Sequence, residues 1–562
     1  MSSLTCRGVI ISDFNAGNLA GSLKNSEDLP VVDTTVVPFG QTIPALLDRQ
    51  AEWWKGNPDF TVVWTQPQSV IEGFGGVLRH QPVSLDRVLA QVDEYAGLLR
   101  NLADRTRLVL VPVWVVPTHH RNFGLLDLKA GGLADTLMRM NLRLSENLGQ
   151  SAHIHLLNTH RWIESAGKRA FNPKLWYMGK IPFGNEIFLE AAKEIKAALR
   201  GVQGLTRKLV IVDLDDTLWG GIVGELGWEN LTLGGHHYLG EAYVDFQRAL
   251  KGLTHRGILL GIVSKNEEAT ALEAIQRHPE MVLRPDDFAG WRINWQDKAE
   301  NILELTRILN LGLQSVVFID DNPVERARVR EALPEVLVPE WPDDKCLFES
   351  ALHSLLCFNP PAITDEDRRR TEMYRSEQQR EGLKEQVASV DEWLRSLGVK
   401  VTVERLNEAN LPRAAQLLNK TNQMNLTTRR MTDAEFFKWA LDPAHRVWVF
   451  RVSDKFGDSG ITGIASLEVQ NGTGTIVDFV LSCRVMGRSV EEAMVHSITK
   501  HASSIGLESV SARYIPTGKN KPCLDFWRRS GFKPDQPEEW FRWRLDKAYP
   551  RPDAVAIEGD LD

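Results

Sequence analysis

The chain reads as a multidomain α/β protein, and three observations carry that reading. Its 562 residues are too many for one hydrophobic core, so three or four domains are expected. Over residues 1–204, and again over 205–360, short apolar runs alternate with helical patterns, which predicts parallel sheets covered by helices. From about residue 399 the apolar runs follow one another and a helix comes only afterwards, which predicts an α+β unit.

In the first unit, Gly8–Ile11, Phe60–Trp64, Leu108–Trp114 and His153–Leu157 read as strands, with helices over Val83–Ala103 and Gly132–Asn147 between them. That alternation predicts a doubly wound domain over 1–204. In the second unit, 205–360, the strands are Leu209–Val212, Ile258–Val263 and Val316–Ile319. The polar, charge-dense stretch 361–398 reads as a connecting helix with one solvated face. In the third unit, 399–547, Val399–Leu406, Arg446–Val452, Thr462–Val469 and Thr475–Leu481 read as consecutive strands before a helix over Ser489–Ser504. The tail 548–562, with its prolines and acids, is expected to be disordered.

Apolar content of 43% and charged content of 25% are those of an ordinary globular protein. The net charge of −8 argues against nucleic acid or an anionic membrane surface as partner. The longest apolar run, near Leu108–Val116, is too short to span a bilayer. Five scattered cysteines make neither a disulfide framework nor a zinc pattern, so a reducing cytoplasm is expected. Met1–Asp13 lacks the basic and apolar regions of a signal peptide.

The most informative stretch is Lys208-Leu-Val-Ile-Val-Asp-Leu-Asp-Asp-Thr217, an apolar run ending in Asp213 and Asp215. A buried parallel strand presents its reacting groups just beyond its carboxyl end. Of two carboxylates there, one can attack phosphorus while the other handles the leaving group's proton. A magnesium ion would offset their repulsion. Three further features extend the site: Ser264 ends a strand with a hydroxyl, Lys298 stands near a helix start, and Asp320 and Asp321 end another strand. Taken singly, a strand-end acid is a turn cap and a lysine a solvated face.

In this order, strand-end acid, hydroxyl, lysine and acid pair resemble the four motifs of the haloacid dehalogenase superfamily, over residues 205–345. The resemblance implies Asp213 as nucleophile, Asp215 as general acid/base, and Thr217, Ser264 and Lys298 as phosphate-binding residues. It implies Mg2+ on the Asp213 carboxylate, the Asp215 backbone carbonyl and an acid of the Asp320–Asp321 pair. Asp321 is favoured as the direct ligand and Asp320 as its support, with the reverse order open. Fewer than fifty residues separate Thr217 from Ser264, which leaves little room for a lid domain.

Beyond Leu481 the sequence Ser-Cys-Arg-Val-Met-Gly-Arg-Ser489 leads into a helix. Arginine, glycine and a small residue at this spacing form a loop whose amides can cradle a pyrophosphate, or a plain capped helix start. The loop resembles the coenzyme A loop of Gcn5-related N-acetyltransferases (GNAT), with Arg484, Gly487 and Ser489 in its pantetheine-binding positions. That fold lays pantetheine along the preceding strand, so Cys483 is a candidate for thiol–thioester exchange, against the alternative of a small buried hydrophobe. Lys519 and Lys521 suit a phosphate or a solvated loop, and Asn425-Leu-Thr-Thr-Arg-Arg430 suits a phosphate or a helix start.

Asp213-Leu-Asp-Asp-Thr-Leu-Trp-Gly-Gly221, Phe318-Ile-Asp-Asp-Asn-Pro-Val-Glu325, Asn425–Arg430 and Leu481-Ser-Cys-Arg-Val-Met-Gly487 together resemble the FkbH-like family, across nearly the whole chain. That family takes D-1,3-bisphosphoglycerate, removes phosphate and loads a glyceryl unit onto an acyl carrier protein for polyketide-type biosynthesis. The chain lacks an Asp-Ser-Leu attachment motif, so the carrier is expected in trans. The first unit resembles the SGNH-hydrolase-like module of that family. Ile10-Ile-Ser-Asp-Phe-Asn-Ala-Gly-Asn18 lacks the Gly-Asp-Ser order, and Asn172-Pro-Lys-Leu-Trp-Tyr177 lacks Asp-x-x-His, so a non-catalytic docking or lid element is expected. Two other functions stay open: a phosphatase of a small phosphorylated metabolite, and a coenzyme A-dependent N-acyltransferase.

Overall fold

The computed structural model describes residues 5–26, 28–117, 124–151, 153–360, 363, 368–374, 376, 380, 389–470, 472–536 and 539–559. The backbone separates into two compact units, Met1–Arg200 and Gly201–Asp562. Among the described residues no helix is long and apolar enough to cross a membrane.

In the first unit, β1 (Thr5–Ser12), β2 (Val31–Val36), β3 (Phe60–Trp64), β4 (Val109–Pro112) and β5 (Ile154–Leu157) form a parallel sheet in the order β2-β1-β3-β4-β5. Successive residues of a strand point to opposite faces, so Val9 and Ile11 enter one core and Ile10 the other. Edge strand β2 escapes the sequence pattern because Val32 alone is buried there.

The second unit holds two sheets. β6 (Leu209–Val212), β7 (Leu259–Ser264), β8 (Phe288–Ile293) and β9 (Val316–Ile319) lie parallel in the order β8-β7-β6-β9. Every residue of β6, β7 and β9 is buried, the mark of a sheet covered on both faces. Edge strand β8 was missed because Gly290, Trp291 and Arg292 break its apolar pattern.

The other sheet comprises β10 (Val399–Arg405), β11 (Met424–Asn425), β12 (His445–Asp454), β13 (Gly457–Gln470), β14 (Thr473–Leu481), β15 (Ser509–Arg513), β16 (Lys533–Asp535), β17 (Trp540–Arg544) and β18 (Val555–Gly559). Its order is β16-β17-β15-β14-β13-β12-β10-β18, with β11 beside β14. β14 and β15 run parallel and pair only over Thr473–Ile476. Farther along, Val480 and Leu481 pair with Asn425 and Met424.

One expectation needs revision. The tail expected to be disordered supplies β18, parallel to β10 with Val399 opposite Val555 and Val403 opposite Gly559. Val555 and Ile557 are two residues apart and therefore share a face, which packs against the core despite the surrounding acids. Of the 38 residues of the connecting helix expected over 361–398, 18 lie outside the described residues. Within it, Val390–Leu397 is helical and buries Trp393, Leu394 and Leu397.

Candidate active site

Three strand ends build the site in the second unit. β6 delivers Asp213, β7 ends in Ser264, and β9 delivers Asp320 and Asp321. The fourth piece is Lys298, first residue of the helix Lys298–Ile308, whose start is fixed by Asp297 accepting from the amides of Ala299 and Glu300. Lys298 Nζ lies 2.6 Å from Asp320 Oδ2 and 3.1 Å from Asp213 Oδ1. All three residues are buried.

Electrostatics follows from that burial. Loss of water pushes the Asp213 carboxyl up to about 7, with Lys298 pulling against it and Asp320 adding to it. Burial likewise raises Asp320. Burial pulls Lys298 down, yet the two carboxylates more than offset this and hold its ammonium charged. Lys298 Nζ is the charged group facing the buried Asp213 Oδ1, at 3.1 Å.

Asp215 is oriented by three donors: Trp219 Nε1 at 2.9 Å and the Val223 amide at 3.1 Å on Oδ1, and Asn266 Nδ2 at 2.9 Å on Oδ2. Asn266 also donates to Ser264 Oγ at 3.2 Å, tying two of the strand ends together. Between them Asp216 takes the left-handed conformation, φ 52°, and its carboxylate accepts from the Gly221 amide. The hydroxyl of Thr217, expected on the phosphate, meets Asp321 in the same cluster: it accepts from the Asp321 amide at 3.2 Å and lies 3.4 Å from Oδ1.

Sequence reasoning missed several supporting groups. Lys345 Nζ lies 3.1 Å from Asp321 Oδ2. Buried Arg326 donates to the Asp320 and Asp321 carbonyls at 2.8 and 2.7 Å, fixing the backbone of the acid pair. Asn266 had a local signal, two residues beyond Ser264; Lys345 had none.

Asp213, Asp320 and Asp321 each place a carboxylate oxygen within 4.8 Å of the others. This set of three carboxylates suits a hard divalent cation that prefers oxygen ligands. The Asp215 carboxylate is outside the group, so that residue has only its backbone to offer.

No protein-family model and no curated protein matches the chain. Among solved structures, the N-terminal part of the protein BF1531 from Bacteroides fragilis, containing a phosphatase domain and complexed with Mg, is similar at 28% identity and a TM-score of 0.58. The match covers 64% of this chain and 96% of that one. Over that match the chain is similar in fold to a protein that contains a phosphatase domain. Two acetyltransferases also align. The ribosomal-protein-S18-alanine N-acetyltransferase of Escherichia coli shares 9% identity over 26% of this chain and 94% of its own, with a TM-score of 0.21. The spermidine N-acetyltransferase of Vibrio cholerae, in complex with CoA and spermine, shares 13% over 26% and 97%, with a TM-score of 0.22. At these TM-scores the likeness says nothing about activity.

Behind the phosphatase-like domain, the residues expected around a pantetheine do not converge. Cys483, half-buried in the turn after β14, lines a pocket of about 240 Å3 together with Arg484. Ser489, at φ 58° before the helix Val490–Ser504, lines a different cavity of about 360 Å3. The Gly487 amide is taken by Glu491 Oε1 at 2.8 Å, and burial pushes that carboxyl up to about 7. Arg488 is buried against Asp454, which also pairs with Arg380 at 2.6 Å. The edge of β14 that would receive pantetheine is covered by β11, and the Leu426 amide donates to the Phe479 carbonyl at 3.1 Å. Arg429 pairs with buried Asp478 at 2.5 Å, and Arg430 bonds the carbonyls of Leu418 and Thr421.

In the first unit, Phe14 follows Asp13 where a serine hydroxyl would stand in an SGNH hydrolase. It packs edge-on to Trp64 and Phe183 at 5.4 and 5.7 Å. Asn172 caps the helix Pro173–Gly179 by accepting from the Lys174 amide. Buried Ser12, in the first stretch, accepts from the Phe14 amide at 3.2 Å.

Proposed function

We propose that the chain is a Mg2+-dependent enzyme that removes phosphate from D-1,3-bisphosphoglycerate and loads the glyceryl unit onto the phosphopantetheine thiol of an acyl carrier protein acting in trans. The observation that carries it is Lys298 held between buried Asp213 and Asp320 at the ends of parallel strands. The FkbH-like resemblance supplies substrate and carrier.

Asp213 attacks the phosphorus of the C3 phosphoester, the bond from phosphorus to the C3 oxygen breaks, and that oxygen takes a proton from Asp215. Water then attacks the aspartyl phosphate, giving its proton to Asp215 and releasing inorganic phosphate. Lys298 neutralises charge beside Asp213 throughout. Mg2+ held by Asp213 and the Asp320–Asp321 pair supplies a further positive charge to screen the phosphoryl oxygens. The C3 phosphate is the one removed here, because hydrolysing the C1 acyl phosphate would discard the activation a thioester needs. The Cys483 thiolate takes C1 and expels phosphate, and the carrier thiol displaces Cys483 in turn.

Incubation with Mg2+, D-1,3-bisphosphoglycerate and holo carrier, read by intact-protein mass spectrometry, tests this. A glyceryl increment on the carrier is expected, with one on the enzyme when carrier is omitted. An unmodified carrier rejects the transfer, and an unchanged enzyme adduct in Cys483→Ser rejects that residue.

A second reading, a phosphatase of a small phosphorylated metabolite, is favoured by the separation of the two sites. Asp213, Ser264 and Asp320 stand at the carboxyl ends of β6, β7 and β9, whereas the Cys483 pocket is lined by Lys208, Leu259 and Ser315 at their opposite ends. It expects phosphate release with no carrier dependence. The coenzyme A-dependent N-acyltransferase reading is disfavoured by β11 on the edge of β14 and Glu491 on the Gly487 amide.

A further inference from the structure

We infer that Lys345 and a divalent cation compete for Asp321, so that Lys345 sets how tightly the acidic cluster holds Mg2+ and is displaced as the ion binds. Lys345 Nζ lies 3.1 Å from Asp321 Oδ2, on a member of the three-carboxylate group. The turn that presents it, Lys345–Leu347, is fixed by Asp344 accepting from the Cys346 amide at 3.0 Å. Two lysines therefore meet the cluster, and they differ in access. The Lys298 side chain is 4% exposed and spans Asp213 and Asp320, which locks it in place. The Lys345 side chain is 21% exposed and that of Asp321 24%, so this pair faces water. Both Asp320 oxygens already carry donors, Lys298 on Oδ2 at 2.6 Å and the Asn322 amide on Oδ1 at 2.9 Å. Mg2+ keeps several of its waters when bound, so it reaches such a cluster from the wet side, where Asp321 stands.

Charge decides which contact gives way. Counted as ionised, the three carboxylates and the two ammoniums on them leave one negative charge, which a divalent cation overshoots. With Lys345 withdrawn they leave two, which the ion matches. Asp321 itself cannot retreat, because Arg326 donates to its carbonyl at 2.7 Å and its amide is bonded to the Thr217 hydroxyl. Lys345 keeps an attraction when it lets go: Nζ lies over the Phe348 ring, 5.0 Å from its centroid. Lys345 is thus a positioning residue that acts through the ion and its ligand. The inference rests on the cluster taking Mg2+ and is indifferent to the glyceryl substrate and to the carrier.

The test is the MgCl2 concentration that half-saturates the rise in Tm of the full chain, read against NaCl at matched ionic strength. Lys345→Gln and Lys345→Met are expected to lower it about threefold or more. Lys345→Arg, which keeps the charge, is expected to stay close to the parent. Lys251→Gln is the matched control. Lys251 pairs with Asp287 at the same 3.1 Å and is also part-buried, but Asp287 precedes β8, at the sheet end away from the cluster. That variant is expected to titrate as the parent does. A second readout uses the parent alone: acetylation by an N-hydroxysuccinimide ester, mapped by peptide mass spectrometry, is expected to speed up at Lys345 in MgCl2 and not at Lys251. It decides if the variants do not fold. Lys345→Gln and Lys345→Met that bind Mg2+ no more tightly than the parent overturn the competition, as does Lys345 labelling unchanged or slowed by MgCl2. Equal tightening in Lys251→Gln or in Lys345→Arg overturns it too, since loss of the Lys345 charge would then not be the cause. A parent that MgCl2 stabilises no more than NaCl fails the Mg2+ reading of the cluster and this inference with it. A parent that responds, with variants that do not tighten, fails this inference alone.

Discussion

Lys298 separates two carboxylates that would otherwise share a dry site. Breaking a buried pair by removing one partner leaves uncompensated charge and costs about 3–5 kcal/mol. Lys298→Ala is therefore expected to lower unfolding free energy by about 3 kcal/mol without Mg2+, less with Mg2+, and to reduce phosphate release by at least about a hundredfold. Denaturant titration and a phosphate assay check both. Glu491 presents the reverse case, a buried carboxyl whose native pKa lies above its unfolded value. The native state then holds the extra proton between about 4.5 and about 7, so this contribution to stability is full below that window and lost as pH rises through it. Glu491→Gln keeps an acceptor for the Gly487 amide and carries no charge. The fall in stability between pH 4.5 and 8 is expected to shrink by on the order of 2 kcal/mol, measured as denaturant midpoints at each pH.

At the scale of elements, β18 depends on one glycine. Gly559 sits at φ 109°, and a Cβ there would lie 2.1 Å from the Val403 carbonyl oxygen. Gly559→Ala is expected to detach the end of β18 from β10 at a cost of about 1–3 kcal/mol, seen as faster amide exchange in Val399–Val403. Elements with a buried, regular apolar pattern were legible from sequence, as β6, β9, β12, β13 and β14 show. Edge strands were not, because β2 buries only Val32, β8 is interrupted by polar and glycine positions, and β18 lies in an acidic tail. The acidic cluster was legible for a local reason: each member follows a hydrophobic strand or opens a helix. The contact of Thr217 with Asp321, next to the αL residue Asp216, leaves no mark in composition. Lys345 and Arg326 reach the site through the fold alone. Spacing along the chain likewise cannot register that Glu491 folds back onto the loop of Arg484, Gly487 and Ser489, or that β11 pairs with β14.

Across the second unit, the length of β6 sets what one molecule can touch. Four residues of strand rise about 13 Å, with Asp213 beyond one end and Lys208, on the wall of the Cys483 pocket, before the other. A three-carbon substrate is too short to engage both places at once. On the proposed function, phosphate removal and thiol chemistry then occur in separate occupancies, with the ligand released or carried on an arm between them. Their residues should therefore fail independently. Asp213→Asn is expected to cut phosphate release by about a thousandfold or more, yet to leave Cys483 open to acylation by an acyl phosphate that lacks a second phosphate. Cys483→Ser is expected to lose the enzyme adduct while releasing phosphate from a simple phosphate monoester at close to the parent rate. Phosphate assay and intact-protein mass spectrometry on the same two preparations read both outcomes. Joint loss of both activities in either variant would mean one shared site, and the separation of the two strand ends would then have to close during turnover.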